Sequence, residues 1–188
     1  DCLSIVYRLL FVFYAESRAD LDILPISDSV YQKGYSLEML RDLEQTQLIT
    51  DHSRNGYFFH ESLHQLFHLM STGYREGENG ANKSFRIRHI DSPLFDDNKL
   101  HQLKNIQFRN YVWQDVICQL SLSRKQHKKA RGRISYANLG INQLGSVYES
   151  LLAYRGFYAE EDYIEVHPKN KPKEGTLLVQ RARRDDFD

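Results

Sequence analysis

The sequence predicts a mainly α fold: a helical domain with a short extended segment and a small C-terminal β-hairpin. Three observations carry this reading. Apolar residues recur at spacings of three and four in several long stretches, while alternation of period two is confined to short segments. The composition is that of a packed body, with 12% aromatics and twelve Tyr and ten Phe against four Pro.

Leu3 to Ser17 reads as the first helix, apolar in nearly every direction through Ile5, Val6, Leu9, Leu10, Val12 and Phe13. A helix of that kind belongs at the centre of a core. Glu16 lies within the apolar arc, so a nearby arginine such as Arg18 is its expected partner. Pro25 ends this unit, and Ser36 has the character of an N-cap for a short helix from Leu37 to about Thr46, with Glu38 in its first turn.

A second long helix is predicted from about Tyr57 to Ser71, closing at Gly73 and followed by the polar run 77–82, the segment expected to be least ordered. Phe85, Ile87 and His89 alternate with Arg86 and Arg88, which suits an extended segment over Ser84 to Ile90, stopped by Pro93. A short helix is expected near Asn98 to Lys104. Tyr111 to Leu122 follows as another helix with Asn110 as candidate cap. Asn142 to Arg155 carries Leu144, Val147, Tyr148, Leu151 and Leu152 at helical spacing and ends at Gly156. Gly145 within it costs about 1 kcal/mol relative to Ala, which points to close approach by another backbone. Tyr163 to His167 and Thr176 to Arg181 read as the two strands of the hairpin.

Composition excludes several function classes. Lys and Arg number 25 and Asp and Glu number 25, so bulk positive charge does not bind nucleic acid here, and any basic surface must be local. Cys2 and Cys118 fit neither a disulfide framework nor a metal knuckle and favour a reducing, cytoplasmic setting. No apolar run approaches the roughly 18 residues of a membrane span. The opening on Asp1, running straight into an apolar helix, has the look of a piece of something longer.

His60-Glu61-Ser62-Leu63-His64 matches H-E-x-x-H, in which spacing four puts both imidazoles on one helix face for zinc and the glutamate beside the bound water. Taken alone it suggests a zinc metallopeptidase, but the spacings that would add a third ligand are not met. His60, His64 and His68 also border the face formed by Phe59, Leu63, Leu66, Phe67 and Met70, so a histidine-rimmed core helix explains them with no metal. Arg124, Lys125, Lys128, Lys129, Arg131 and Arg133 place six positive charges within ten residues, a candidate DNA-phosphate contact. No phosphate-cradling glycine loop and no nucleophile turn is present, so no catalytic and no cofactor-binding residue is assigned.

Three blocks resemble a known family. Tyr7-Arg8-Leu9-Leu10-Phe11-Val12-Phe13-Tyr14-Ala15-Glu16-Ser17-Arg18 followed by Tyr35-Ser36-Leu37 with Leu40-Arg41, then Pro93-Leu94-Phe95-Asp96, then Ile134 to Leu152 with Leu144-Gly145-Ser146-Val147-Tyr148-Glu149, are similar in order and spacing to large bacterial adenine-specific DNA methyltransferases. These belong to type IIG restriction–modification and to phage-defence systems such as DISARM and BREX. Pro93 stands where that family has Gly. The resemblance implies a helical connector over 1–156, a hairpin leading toward a methyltransferase domain over 157–188, S-adenosylmethionine as cofactor of the parent enzyme and none in this piece, and DNA and neighbouring domains of the same chain as partners. The family's F-x-G-x-G loop and N-P-P-Y have no counterpart here, so the piece itself is expected to be inert. A pure protein-interaction scaffold is the remaining alternative, with Cys2 to Phe13 as the place to seek an uncovered apolar face.

Overall fold

The computed structural model describes residues 1–74, 86–124, 131–152, 158–166 and 177–187. Among the described residues the fold is mainly helical with one two-stranded antiparallel sheet. It divides into two compact units, Asp1–Leu151 and Leu152–Asp188.

The first unit is organised around α1 (Cys2–Glu16). Its apolar belt buries Leu9, Val12, Phe13 and Ala15, while the first turns stay partly open at Leu3, Ile5 and Val6. Helix α2 (Ser29–Gly34) opens on Asp28, whose carboxylate accepts from Val30 N and Tyr31 N. Helix α3 (Leu37–Asp42) opens on Ser36 as the sequence predicts: Ser36 Oγ accepts from Met39 N at 3.1 Å. It stops earlier than the periodicity suggests, and Leu37 and Leu40 form its buried stripe. Helix α4 (Asp51–Asn55) follows a reciprocal cap between Thr50 and Ser53.

Helix α5 (Phe58–Thr72) packs Phe59, Leu63, Leu66, Phe67 and Met70 into the same core, each such burial contributing about 1.5–3 kcal/mol. Gly73 ends it at φ +75°, where a Cβ would meet His89 N at 2.9 Å, so glycine is required there on two counts. Helix α6 (Asn110–Ser121) contributes Trp113 and Ile117, and α7 (Ile141–Leu152) closes the unit.

Several expectations change. The segment expected as extended makes one bridge, Tyr74 to Ile87, with paired bonds of 2.8 and 3.0 Å; Ser84 and Phe85 lie outside the described residues. Among the described residues of this segment Ile87 is the one buried side chain, and the pairing is an isolated bridge. In place of a helix near Asn98 to Lys104 the chain makes two 3₁₀ turns, Pro93–Phe95 and Asp97–Lys99. Ser92 and Asp96 accept from Leu94 N and Asn98 N, and such local bonds divert the backbone from a longer helix. Asn110 does not cap α6. Its Oδ1 accepts from Phe59 N in the first turn of α5 and its Nδ2 donates to Ser53 O, so it ties α4 and α5 to α6. Gly145 meets nothing within 4 Å of a Cβ, which removes the close-approach explanation. The polar run 77–82 lies outside the described residues.

In the second unit, β1 (Tyr163–Val166) pairs antiparallel with β2 (Leu177–Gln180), in register from Tyr163 opposite Gln180 to Val166 opposite Leu177. A 3₁₀ stretch, Arg181–Phe187, follows β2. Among the described residues no helix is long and apolar enough to cross a membrane.

Candidate nucleic-acid interface

The C-terminal end of α6 runs directly into the basic segment. Leu122 and Arg133 form an antiparallel bridge, Ser123 N donates to Gly132 O at 2.8 Å and Ile134 N to Ser121 O at 2.7 Å, so the two flanks of the segment are held side by side. Of the six candidate cations, the three among the described residues, Arg124, Arg131 and Arg133, differ in role. Arg131 donates through Nε to Ser123 O at 2.7 Å and through a terminal nitrogen to Cys118 O and Leu122 O at 3.3 Å each. These include carbonyls of the last turn of α6, where a cation is favoured by the helix dipole.

Arg133 is more heavily engaged. It reaches Glu38 and Asp42 at 3.0 Å and Glu44 at 3.1 Å, and also donates to Arg41 O. Those bonds raise its pKa, that from Asp42 foremost. Arg41 completes the cluster, donating to Glu38, to Ser121 Oγ and to Ile134 O with its guanidinium over Phe13. Arg131 and Arg133 thus serve the fold. Arg124 is exposed, and Lys125, Lys128 and Lys129 lie outside the described residues. The carboxylates that occupy Arg133 sit on α3 and just beyond it, distant in sequence from the basic run, so no local pattern could single it out.

The histidine helix carries no completed metal centre among the described residues. Trp113 Nε1 donates to His60 Nδ1 at 3.3 Å, and burial lowers the His60 pKa. Glu61, the base of an H-E-x-x-H enzyme, instead accepts from Gln107. His64 Nε2 lies 3.8 Å from Asp97, whose other oxygen is held by Arg8. The side chains of the motif therefore serve as the border of α5 against α6 and the 93–99 segment.

A cavity of about 640 Å³ is lined by Phe13, Glu16, Tyr31, Lys33, Arg41 and Tyr136, among others. Phe13 stacks on Tyr136 at 5.0 Å. Of the carboxylates in its wall, Glu16 is not paired with Arg18, which instead forms a fork with Asp20. Glu16 accepts from Tyr31 Oη and Leu37 N at 2.7 Å each and from Glu38 N at 3.0 Å. It thereby satisfies the opening amides of α3, which an arginine could not do. Desolvation pushes its pKa up to about 7 against the opposing pull of those three bonds.

One residue whose role the sequence reading missed is Arg8. Its position in the middle of the apolar belt of α1 was the available signal, since a charge is retained on a buried stripe only with partners. No family model, curated protein or solved structure matches this chain.

Proposed function

We propose that the chain is the helical, non-catalytic part of an adenine-N6 DNA methyltransferase of a restriction–modification or phage-defence system, joining recognition or nuclease parts to the methyltransferase part in the cytoplasm. One observation carries the reading: the blocks that resemble the family, far apart in sequence, are bonded to one another through their own residues. Tyr7 Oη donates to Tyr148 O at 2.6 Å, Arg8 donates to Leu94 O and Asp96 O at 2.7 and 3.2 Å, and Glu16 accepts from Leu37 N. A likeness that reflected composition alone would have no reason to fall on the residues that lock the unit.

S-adenosylmethionine would supply the methyl group in the parent enzyme. Neither F-x-G-x-G nor N-P-P-Y occurs in these residues, and no residue here is assigned to the cofactor. What this chain contributes is rigidity: a target adenine must leave the duplex to be methylated, and a locked helical unit holds the parts that keep the DNA bent or opened. Arg124, Lys125, Lys128 and Lys129 are the phosphate contacts of this reading.

Methyl transfer from labelled S-adenosylmethionine to DNA by the parent polypeptide tests the assignment; product in adenine N6 supports it, and none overturns it. Duplex binding by the 188-residue chain against salt tests the four cations. Neutralising them should flatten the slope by about 0.9 for each phosphate no longer neutralised, and an unchanged slope removes them from the interface. The exposed Val147 and Tyr148 on α7, at 39% and 45%, favour the scaffold as second reading, which predicts partner binding with no DNA affinity.

A further inference from the structure

Where α4 meets α6, two arginines and two tyrosines form crossed stacks. The Arg54 guanidinium lies over Tyr111 and that of Arg109 over Tyr57, each 4.9 Å from the ring centroid. Arg109 also donates to Asn55 O at 2.7 Å, and Asn110 N to Gly56 O at 2.8 Å, so both stacks stand on a fixed junction. Elsewhere Arg8, Arg18, Arg41, Arg88 and Arg133 each reach a carboxylate; among the described residues Arg54 and Arg109 do not. The nearby acids Asp51 and Glu61 are engaged by Asn55 and Gln107, Asp115 lies one turn further along α6, and the first turn of α6 has no acidic residue.

Beside this pair runs a groove of about 310 Å³ whose wall includes Tyr57 and Phe58, with Phe58 51% and Tyr111 43% exposed. A stacked guanidinium keeps its N–H edge for a phosphate, and an exposed aromatic ring offers a face to any base. We propose that this ledge binds an unpaired nucleic-acid strand, with Arg54 and Arg109 on successive phosphates and a base against Phe58 in the groove. In an enzyme that extrudes a base, unpaired nucleotides are present when the protein acts, so the proposal deepens the DNA reading above and rests on it for the choice of polyanion.

The test is fluorescence anisotropy of labelled single-stranded and duplex oligonucleotides with the 188-residue chain over a salt series. Single strand should bind more tightly than duplex. R54A/R109A should lower the single-strand salt slope by about 1.4, at about 0.7 for each phosphate. R54K/R109K loses the planar guanidinium fork but keeps the charge, so it should retain the slope and separate the effect of charge from that of the guanidinium geometry. F58A should weaken single strand and leave duplex unchanged. Duplex bound as tightly as single strand, no binding of either, an unchanged slope in R54A/R109A, or an F58A variant that binds single strand normally overturns the proposal. The methylation assay on the parent reads the broader assignment separately.

Discussion

Arg8 and Asp97 form a 2.7 Å ion pair across 89 positions of sequence, with the arginine side chain 2% exposed and the aspartate 37%. The same guanidinium donates to Leu94 O and Asp96 O and lies over the rings of Phe67 and Phe95, at 5.5 and 6.0 Å from their centroids. One buried cation thus pins the 93–97 segment to α1, satisfying the Leu94 carbonyl and adding a second bond to the Asp96 carbonyl, which also accepts from Lys99 N.

Arg8→Met should therefore be costly in a way that Asp97→Asn is not. Removing the arginine leaves the Leu94 carbonyl without its donor, a loss of about 1–3 kcal/mol, and takes the buried guanidinium away from Phe67 and Phe95. Asp97 is part-exposed, and its amide should cost about 1 kcal/mol or less. Urea denaturation of both variants checks the ranking; equal losses would mean that the carboxylate, and not the carbonyl bonds, does the anchoring.

Glu16 gives the fold a pH dependence of unusual sign. Its pKa in the folded chain is raised to about 7 from an ordinary carboxylate value, chiefly by desolvation, so the folded chain holds a proton that the unfolded chain has released. The associated stability is fully present below about pH 4.5 and is lost as pH rises through about 7, a change of about 3 kcal/mol at 1.36 kcal/mol per unit. Thermal melts between pH 5 and 8 should show stability falling with pH, and Glu16→Gln should flatten that slope whatever it does to the absolute Tm. A slope unchanged in the variant would assign it to another group.

Gly145→Ala should stabilise the chain. The position is exposed within α7 and a Cβ there meets nothing within 4 Å, so the helix gains roughly the 1 kcal/mol by which Ala exceeds Gly. For a chain of this size that corresponds to an increase of about 2–4 °C in Tm. A fall in Tm would indicate that something packs on this face of α7 in solution.

The long helices were legible because their signal is local. The stripe Phe59, Leu63, Leu66, Phe67 and Met70 and the Ser36 cap both appear in the structure, as does the hairpin. What escaped are bonds between side chains and distant backbone. Asn110 looks like a cap for the helix it begins, yet its amide serves Phe59 N, 51 positions earlier. Glu16 has an arginine two residues away and ignores it for the amides of Leu37 and Glu38. In the candidate interface, charge alone could not separate Arg131 and Arg133, which serve the fold, from the exposed Arg124, because Glu38, Asp42 and Glu44 approach Arg133 only after α3 has docked.

That division yields the last prediction. The Glu44 side chain is 2% exposed; one of its oxygens accepts from Arg133 Nε, and the other has no partner among the described residues. Arg133→Ala would leave a buried carboxylate with no cation, the situation in which losses reach about 3–5 kcal/mol. Glu44→Gln in the same background should recover part of that loss by removing the stranded charge, a coupling that a double-mutant cycle reads directly. Arg124→Ala, at an exposed position, should change stability by less than about 0.5 kcal/mol while lowering duplex affinity. If instead Arg133→Ala folds normally and Arg124→Ala unfolds the chain, the roles assigned to the two arginines are reversed.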